Sequence, residues 1–210
     1  VCWYVWNDRY WQPDILGQAK ELADEMTQSL SNDSRMGTDK QFKQNVDYLL
    51  SSRGKENMLK EAQHQPGVPS INADYDRDKY LFNCETGVLD LRDLSIRKPT
   101  QDMMLTKFSA IKIDKSEPVL FDKFMKETFC QDQSLIDYVM KIFSICLTGD
   151  TSEQKIWFLI GDGSNGKSVL QSVMMSVLGD YSATATRELL IDRKYQNQNI
   201  TELAKKKKKR

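Results

Sequence analysis

Residues 161–168 read Gly-Asp-Gly-Ser-Asn-Gly-Lys-Ser, an unbroken match to the pattern G-x-x-x-x-G-K-[ST]. The types and their spacing suit one task, holding a chain of phosphates. Gly161, Gly163 and Gly166 let the backbone curl until successive N–H groups point at a single anion. Asp162, Ser164 and Asn165 fill the curl, and Val169 follows it into a helix whose positive end adds to the field. Lys167, the candidate catalytic group, is placed to reach the β- and γ-phosphates as a point charge. The Ser168 hydroxyl is placed to ligate Mg²⁺. The expected ligand is therefore ATP with magnesium. The bland alternative is a flexible turn bearing an exposed lysine, but chance supplies such a match in a chain this long only about once in a hundred.

The flanking residues fit a phosphate loop. Ile156–Ile160 (IWFLI) is short and wholly apolar, as a strand buried on both faces of a parallel sheet would be. Val169, Leu170, Val173, Met174 and Val177 recur at helical spacing up to Gly179. Hydrolysis needs more than this loop, namely an acid on Mg²⁺ and a group to orient water. Asp192, after Leu189-Leu190-Ile191, is the candidate for the first role, with Asp180 and Glu188 weaker, while Glu202 reads as a residue that caps or decorates a helix.

Upstream, WYVWNDRYWQPD (residues 3–14) reads as an aromatic hairpin turning at Asn7-Asp8. Its aromatics suit core packing better than base stacking. Pro13-Asp14 should start a helix with a stripe of Leu16, Ala19, Ala23, Met26 and Leu30. A second helix carries Phe42, Val46, Leu49 and Leu50, and a third Met58, Leu59 and Ala62, with Gly54 as the break between them. His64, just beyond, reads as a solvated helix-end residue. From Tyr80 the period shortens, predicting a meander over 80–98 and a further strand at Ala110–Ile113. Ser116-Glu117-Pro118 should cap a helix lined by Phe121, Phe124, Met125 and Phe129. Asp132 opens another, with Leu135, Val139, Ile142, Phe143 and Cys146 inward and Gly149 closing it.

Composition sets the limits. The chain has 210 residues, 40% hydrophobic and 29% charged, as a globular protein does. Thirty basic residues balance thirty acidic ones, but six of the basic ones lie in Lys205–Arg210. The rest has 24 against 30, a net charge of −6. An acidic body argues against a surface coated with DNA-binding charge. No apolar run approaches the roughly 18 residues of a membrane span. Cys2, Cys84, Cys130 and Cys146 form no C-x-x-C pair, and with His64 as the sole histidine they predict reduced thiols in the cytoplasm rather than zinc. Val1 at one end and the lysine run at the other read as the limits of a fragment.

Asn165 ahead of Gly166-Lys167-Ser168 resembles the superfamily 3 helicases, the ring motors of phages, plasmids and DNA viruses. The resemblance extends to WYVWNDRYWQPD, to YDRDKYLFNCETGVLDLRD at 75–93, to the helices around FDKFMKETF and YVMKIFSICLTGD, and to LGDYSATATRELL at 178–190. These segments look like the domain preceding the motor in phage- and plasmid-type primase–helicases and in the poxvirus primase–helicase. The resemblance implies ATP hydrolysis coupled to DNA unwinding in replication, a homo-oligomeric hexameric ring, single-stranded or forked DNA as partner, no membrane, and the host cytoplasm. It assigns Lys167 and Ser168 the phosphate and magnesium roles. The family's Walker B acids, sensor and arginine finger would lie past Arg210, so hydrolysis by this chain alone is not expected.

The fold expected is α/β. A mainly helical pre-motor domain with a small antiparallel sheet (1–149) leads into an incomplete P-loop NTPase core (150–210), expected to be the less stable part. The alternative function is a non-catalytic DNA-binding or subunit-assembly module that uses Lys205–Arg210 as a basic tail.

Overall fold

The computed structural model of the protein describes residues 2–186. Asp192, Glu188, Glu202, the Leu189–Ile191 run and the lysine tail lie outside the described residues. Two short antiparallel sheets and six α-helices carry the described chain. It divides into two compact units, one formed by Val1–Asn7 and Trp11–Asp74, the other by Asp8–Tyr10 with the chain from Tyr75 onward. This division is by packing. The 149/150 boundary expected from sequence separates the glycine-rich loop from what precedes it. No helix among the described residues is long and apolar enough to cross a membrane.

In the first unit, β1 (Tyr4–Trp6) pairs antiparallel with β2 (Trp11–Pro13), with Trp6 opposite Trp11 and their rings 5.8 Å apart. Helix α1 spans Gln18–Ser31 and so begins four residues after Asp14, later than Pro13-Asp14 implied. Asp14 still serves the helix start: its carboxylate accepts from the N–H groups of Gly17, Gln18 and Ala19 across a left-handed Gly17. Those bonds, Ala19's foremost, hold its pKa below the usual carboxylate range. Leu16 therefore sits before the helix and is exposed, as is Met26; the buried stripe is Ala23 and Thr27.

Helices α2 (Lys40–Leu50) and α3 (Ser52–Ala62) pack on α1. The break between them falls at Ser51, whose extended backbone and hydroxyl bond to Gly54 N–H cap α3. Gly54 lies inside the first turn of α3 and is not the breaker. A Cβ there would stand 2.1 Å from Tyr48 O, so glycine permits the close approach of the two helices. Ala23, Thr27, Val46 and Gly54 are all small, which lets three short helices meet closely.

In the second unit, the meander forms as expected: β3 (Leu81–Cys84), β4 (Gly87–Asp90) and β5 (Ile96–Arg97), in that order. Both of its faces are covered, Phe82 and Cys84 being buried on one and Asn83 with its cross-strand partner Val88 on the other. Ala110–Ile113 is not a strand. It runs past the end of β3 by single contacts, an isolated parallel bridge between Cys84 and Ser109 and Glu85 N–H to Ile111 O at 3.0 Å.

Helix α4 (Val119–Thr128) starts after Pro118 with no side-chain cap, because Asp114 takes the Ser116 N–H and leaves that residue outside the helix. Helix α5 (Gln133–Leu147) is capped by Asp132 and ends at Thr148 rather than Gly149. Met125, Ile136, Val139 and Leu170 make the helical core, with Phe121, Phe124, Phe129 and Phe143 against it. Cys146, seven residues after Val139 and so on nearly the same side of α5, is nevertheless exposed.

The largest departure is Ile156–Ile160. It forms no strand, and Ile156, Phe158, Leu159 and Ile160 are 51–91% exposed. A parallel strand needs hydrogen-bonded neighbours and covered faces. The described residues supply only antiparallel sheets, already complete without it. Of the expected nucleotide core, the loop and its helix are present and the strand is not formed.

Candidate functional site

Helix α6 (Lys167–Leu178) begins directly after the glycine-rich loop. Its start has no side-chain cap, so its opening N–H donors have no side-chain acceptor. The loop is curled rather than extended, with positive φ at Gly163 (103°), Ser164 (46°) and Gly166 (81°).

The three glycines serve different ends. Gly163 supplies conformation alone, since nothing lies within 4 Å of where its Cβ would be. Gly166 combines a left-handed backbone with proximity: a Cβ would meet Thr128 Oγ1 at 2.8 Å and the Phe124 ring at 3.2 Å. That contact seats the loop on α4. Gly161 makes room for a side chain, as its Cβ would stand 2.0 Å from Asn165 Nδ2.

Lys167 turns back over the loop. Its Nζ donates to Gly161 O at 2.9 Å and to Asn165 Oδ1 at 2.5 Å. Gly161, Asp162, Gly163, Ser164 and Asn165 are exposed, as are Ser168 and Val169, while Gly166 and Lys167 are half-buried. The geometry thus brings Gly161, Asn165 and Lys167 together. Asp162 and Val169 make no recorded contact with that group. Ser168 stands one residue along the helix from Lys167. Among the described residues no group of three or more His, Cys, Asp or Glu could hold a metal ion.

The other end of α6 is fastened to the meander by residues that periodicity did not single out. Ser109 Oγ donates to Val177 O at 2.7 Å. Asp180, weighed above as an acid for magnesium, is instead bonded to Phe108 through both its N–H (3.1 Å) and its carboxylate (3.2 Å). Gly179, at φ 51°, would push a Cβ to 2.9 Å from Phe108 O. Tyr181 then reaches β3, its hydroxyl accepting from Asn83 N–H at 2.9 Å and its ring lying 4.9 Å from Phe82. Burial pushes the Tyr181 phenol well above its ordinary value.

Asn83 is fully buried and donates through Nδ2 to Arg9 O and Lys107 O, both at 3.0 Å. A polar residue inside the apolar run LFNC is the one sequence signal that marks this hub. Beside it, Tyr10 stacks on Phe108 and Arg9 lies over the same ring. Asp90, at the end of β4, is bracketed by Arg92 and Arg97. The Arg92 bond, then its backbone N–H, and then the charge of Arg97 hold Asp90 below the usual carboxylate range.

Comparison with known proteins places this architecture. A protein of Acanthamoeba polyphaga mimivirus named "Putative helicase L207/L206" is 29% identical over 168 residues, covering 77% of this chain. The chain spans only 17% of that relative's length. The family described as D5 N terminal like matches residues 2–130, which run from the hairpin through the meander and α4 and stop short of the loop. With more than half of its residues matched, the chain belongs to the D5 N-terminal-like family.

Proposed function

We propose that this chain is the nucleotide-binding part of a superfamily 3 replicative DNA helicase. In that reading Gly161–Ser168 binds ATP. The observation that carries it is the curled loop at the head of α6, with Lys167 folded back over Gly161. Membership of the D5 N-terminal-like family and similarity to a viral protein named as a helicase support it.

Lys167 holds the β- and γ-phosphates, and the uncapped start of α6 adds backbone donors and its dipole. Ser168 would hold Mg²⁺ through its hydroxyl, an oxygen donor of the kind a small hard cation takes. When bound, the ion neutralises charge on the phosphates. In the whole protein this site would work in a hexameric ring, with hydrolysis coupled to movement on single-stranded or forked DNA in the host cytoplasm.

Thermal protection by Mg-ATP tests the reading. Ligand at about 100 times its Kd stabilises the folded chain by ~2.7 kcal/mol, and Lys167→Ala should remove that gain. Absence of protection in a protein extended to the relative's length would reject an ATP site here.

A further inference from the structure

An ammonium has three donors, and in this loop two of Lys167's are already engaged, by Gly161 O and by Asn165 Oδ1. Bridging two phosphates takes two donors. One internal bond must therefore break when a triphosphate is gripped. Gly161 O belongs to the backbone of the loop, whereas the Asn165 carboxamide turns about its own side-chain bonds. The Asn165 bond is the one that yields.

A second observation shows that the carboxamide has a built seat. Asn165 Nδ2 occupies the space above Gly161, where any Cβ would stand 2.0 Å away. Gly161 is thus the residue that allows Asn165 to lie across the loop and meet Lys167. Asn165 is itself exposed, so solvent can take over its hydrogen bonds when it swings away.

We infer that Asn165 is a releasable latch on Lys167, a positioning residue that competes with the ligand's phosphates for the ammonium and so lowers affinity for the nucleotide. The inference rests on the reading of Gly161–Ser168 as a triphosphate loop and adds a regulating side chain to it. It runs against the usual expectation for a loop residue, because removing this side chain should strengthen binding. Loss of one solvent-exposed side-chain hydrogen bond, worth no more than an ordinary one, corresponds to a gain on the order of three- to tenfold in affinity.

The experiment is calorimetric titration of the full chain with Mg-ATP, using the unaltered protein, Asn165→Ala, Asn165→Asp and Lys167→Ala. Asn165→Ala should bind about three- to tenfold tighter than the unaltered protein. Asn165→Asp keeps the acceptor and adds charge to it, and should bind more weakly. A loop merely loosened by substitution would weaken in both. If the unaltered protein binds and Asn165→Ala binds equally or less well, the latch is wrong while the phosphate-loop reading stands. If neither the unaltered protein nor Asn165→Ala binds, and Lys167→Ala behaves identically, the loop reading itself falls and takes the latch with it.

Discussion

Replacing Tyr181 by Phe removes one oxygen from the junction between α6 and the meander. The ring stays, and with it the 4.9 Å contact to Phe82. What disappears is the acceptor for Asn83 N–H, now bonded at 2.9 Å inside a residue with no exposed surface. The phenol's own donation, to Lys107 O at 3.5 Å, is long and contributes little. A buried N–H left without a partner costs roughly 1–3 kcal/mol, so the expected loss is about 2 kcal/mol. With a urea slope of ~2 kcal/mol/M, the midpoint should fall by ~1 M with unchanged slope. Hydrogen exchange should quicken at the Asn83 amide before it does elsewhere in β3. There is also a signature in alkali. A phenol raised above its ordinary value of 10.0 stabilises the fold below that pH and loses the contribution as pH climbs toward the folded value. The unaltered protein should therefore weaken above pH 10 by a component that Tyr181→Phe lacks. A urea midpoint within about 0.2 M of the unaltered protein, together with an identical alkaline profile, would refute the assignment of Tyr181 as the fastener.

Two further outcomes follow from the fold. Gly54→Ala, a change that usually stabilises a helix interior, should here cost about 1–3 kcal/mol by overpacking against Tyr48 O, and a thermal melt checks the sign. Asp90, held below its ordinary 3.8 by Arg92 and Arg97, stabilises the fold above that pH and loses the contribution as pH falls through its lower folded value; Asp90→Asn should flatten the acid limb of a stability–pH curve.

Much of this architecture is legible in the residues themselves. The hairpin, the meander and the apolar faces of α4 and α6 follow from period and turn chemistry, which are local. Where reading failed, a non-local partner had decided the outcome. Asp14 caps α1 from a distance through the left-handed Gly17, which shifts the helix start and strands Leu16. Gly54 looks like a breaker by type, yet its meaning lies in Tyr48 across the helix junction. Ile156–Ile160 has the composition of a central strand, but composition cannot supply the neighbours a strand pairs with. At the candidate site the motif shows the loop and its lysine. The Asn165 contact could not be read from it, because the pattern leaves that position open. The hub at Asn83 was visible only as a polar interruption.

The attachment of α6 at both ends bears on how the loop can respond to anything it grips. Gly166 abuts Phe124 and Thr128 at one end, and Ser109, Phe108 and Asn83 secure the other. A rod of twelve residues, about 18 Å long, is thereby fixed like a beam on two supports. Sliding or tilting it would break buried bonds at the far support, so accommodation of an incoming ion is left to side-chain torsions around the first support. Lys167 and Asn165 are the groups with that freedom.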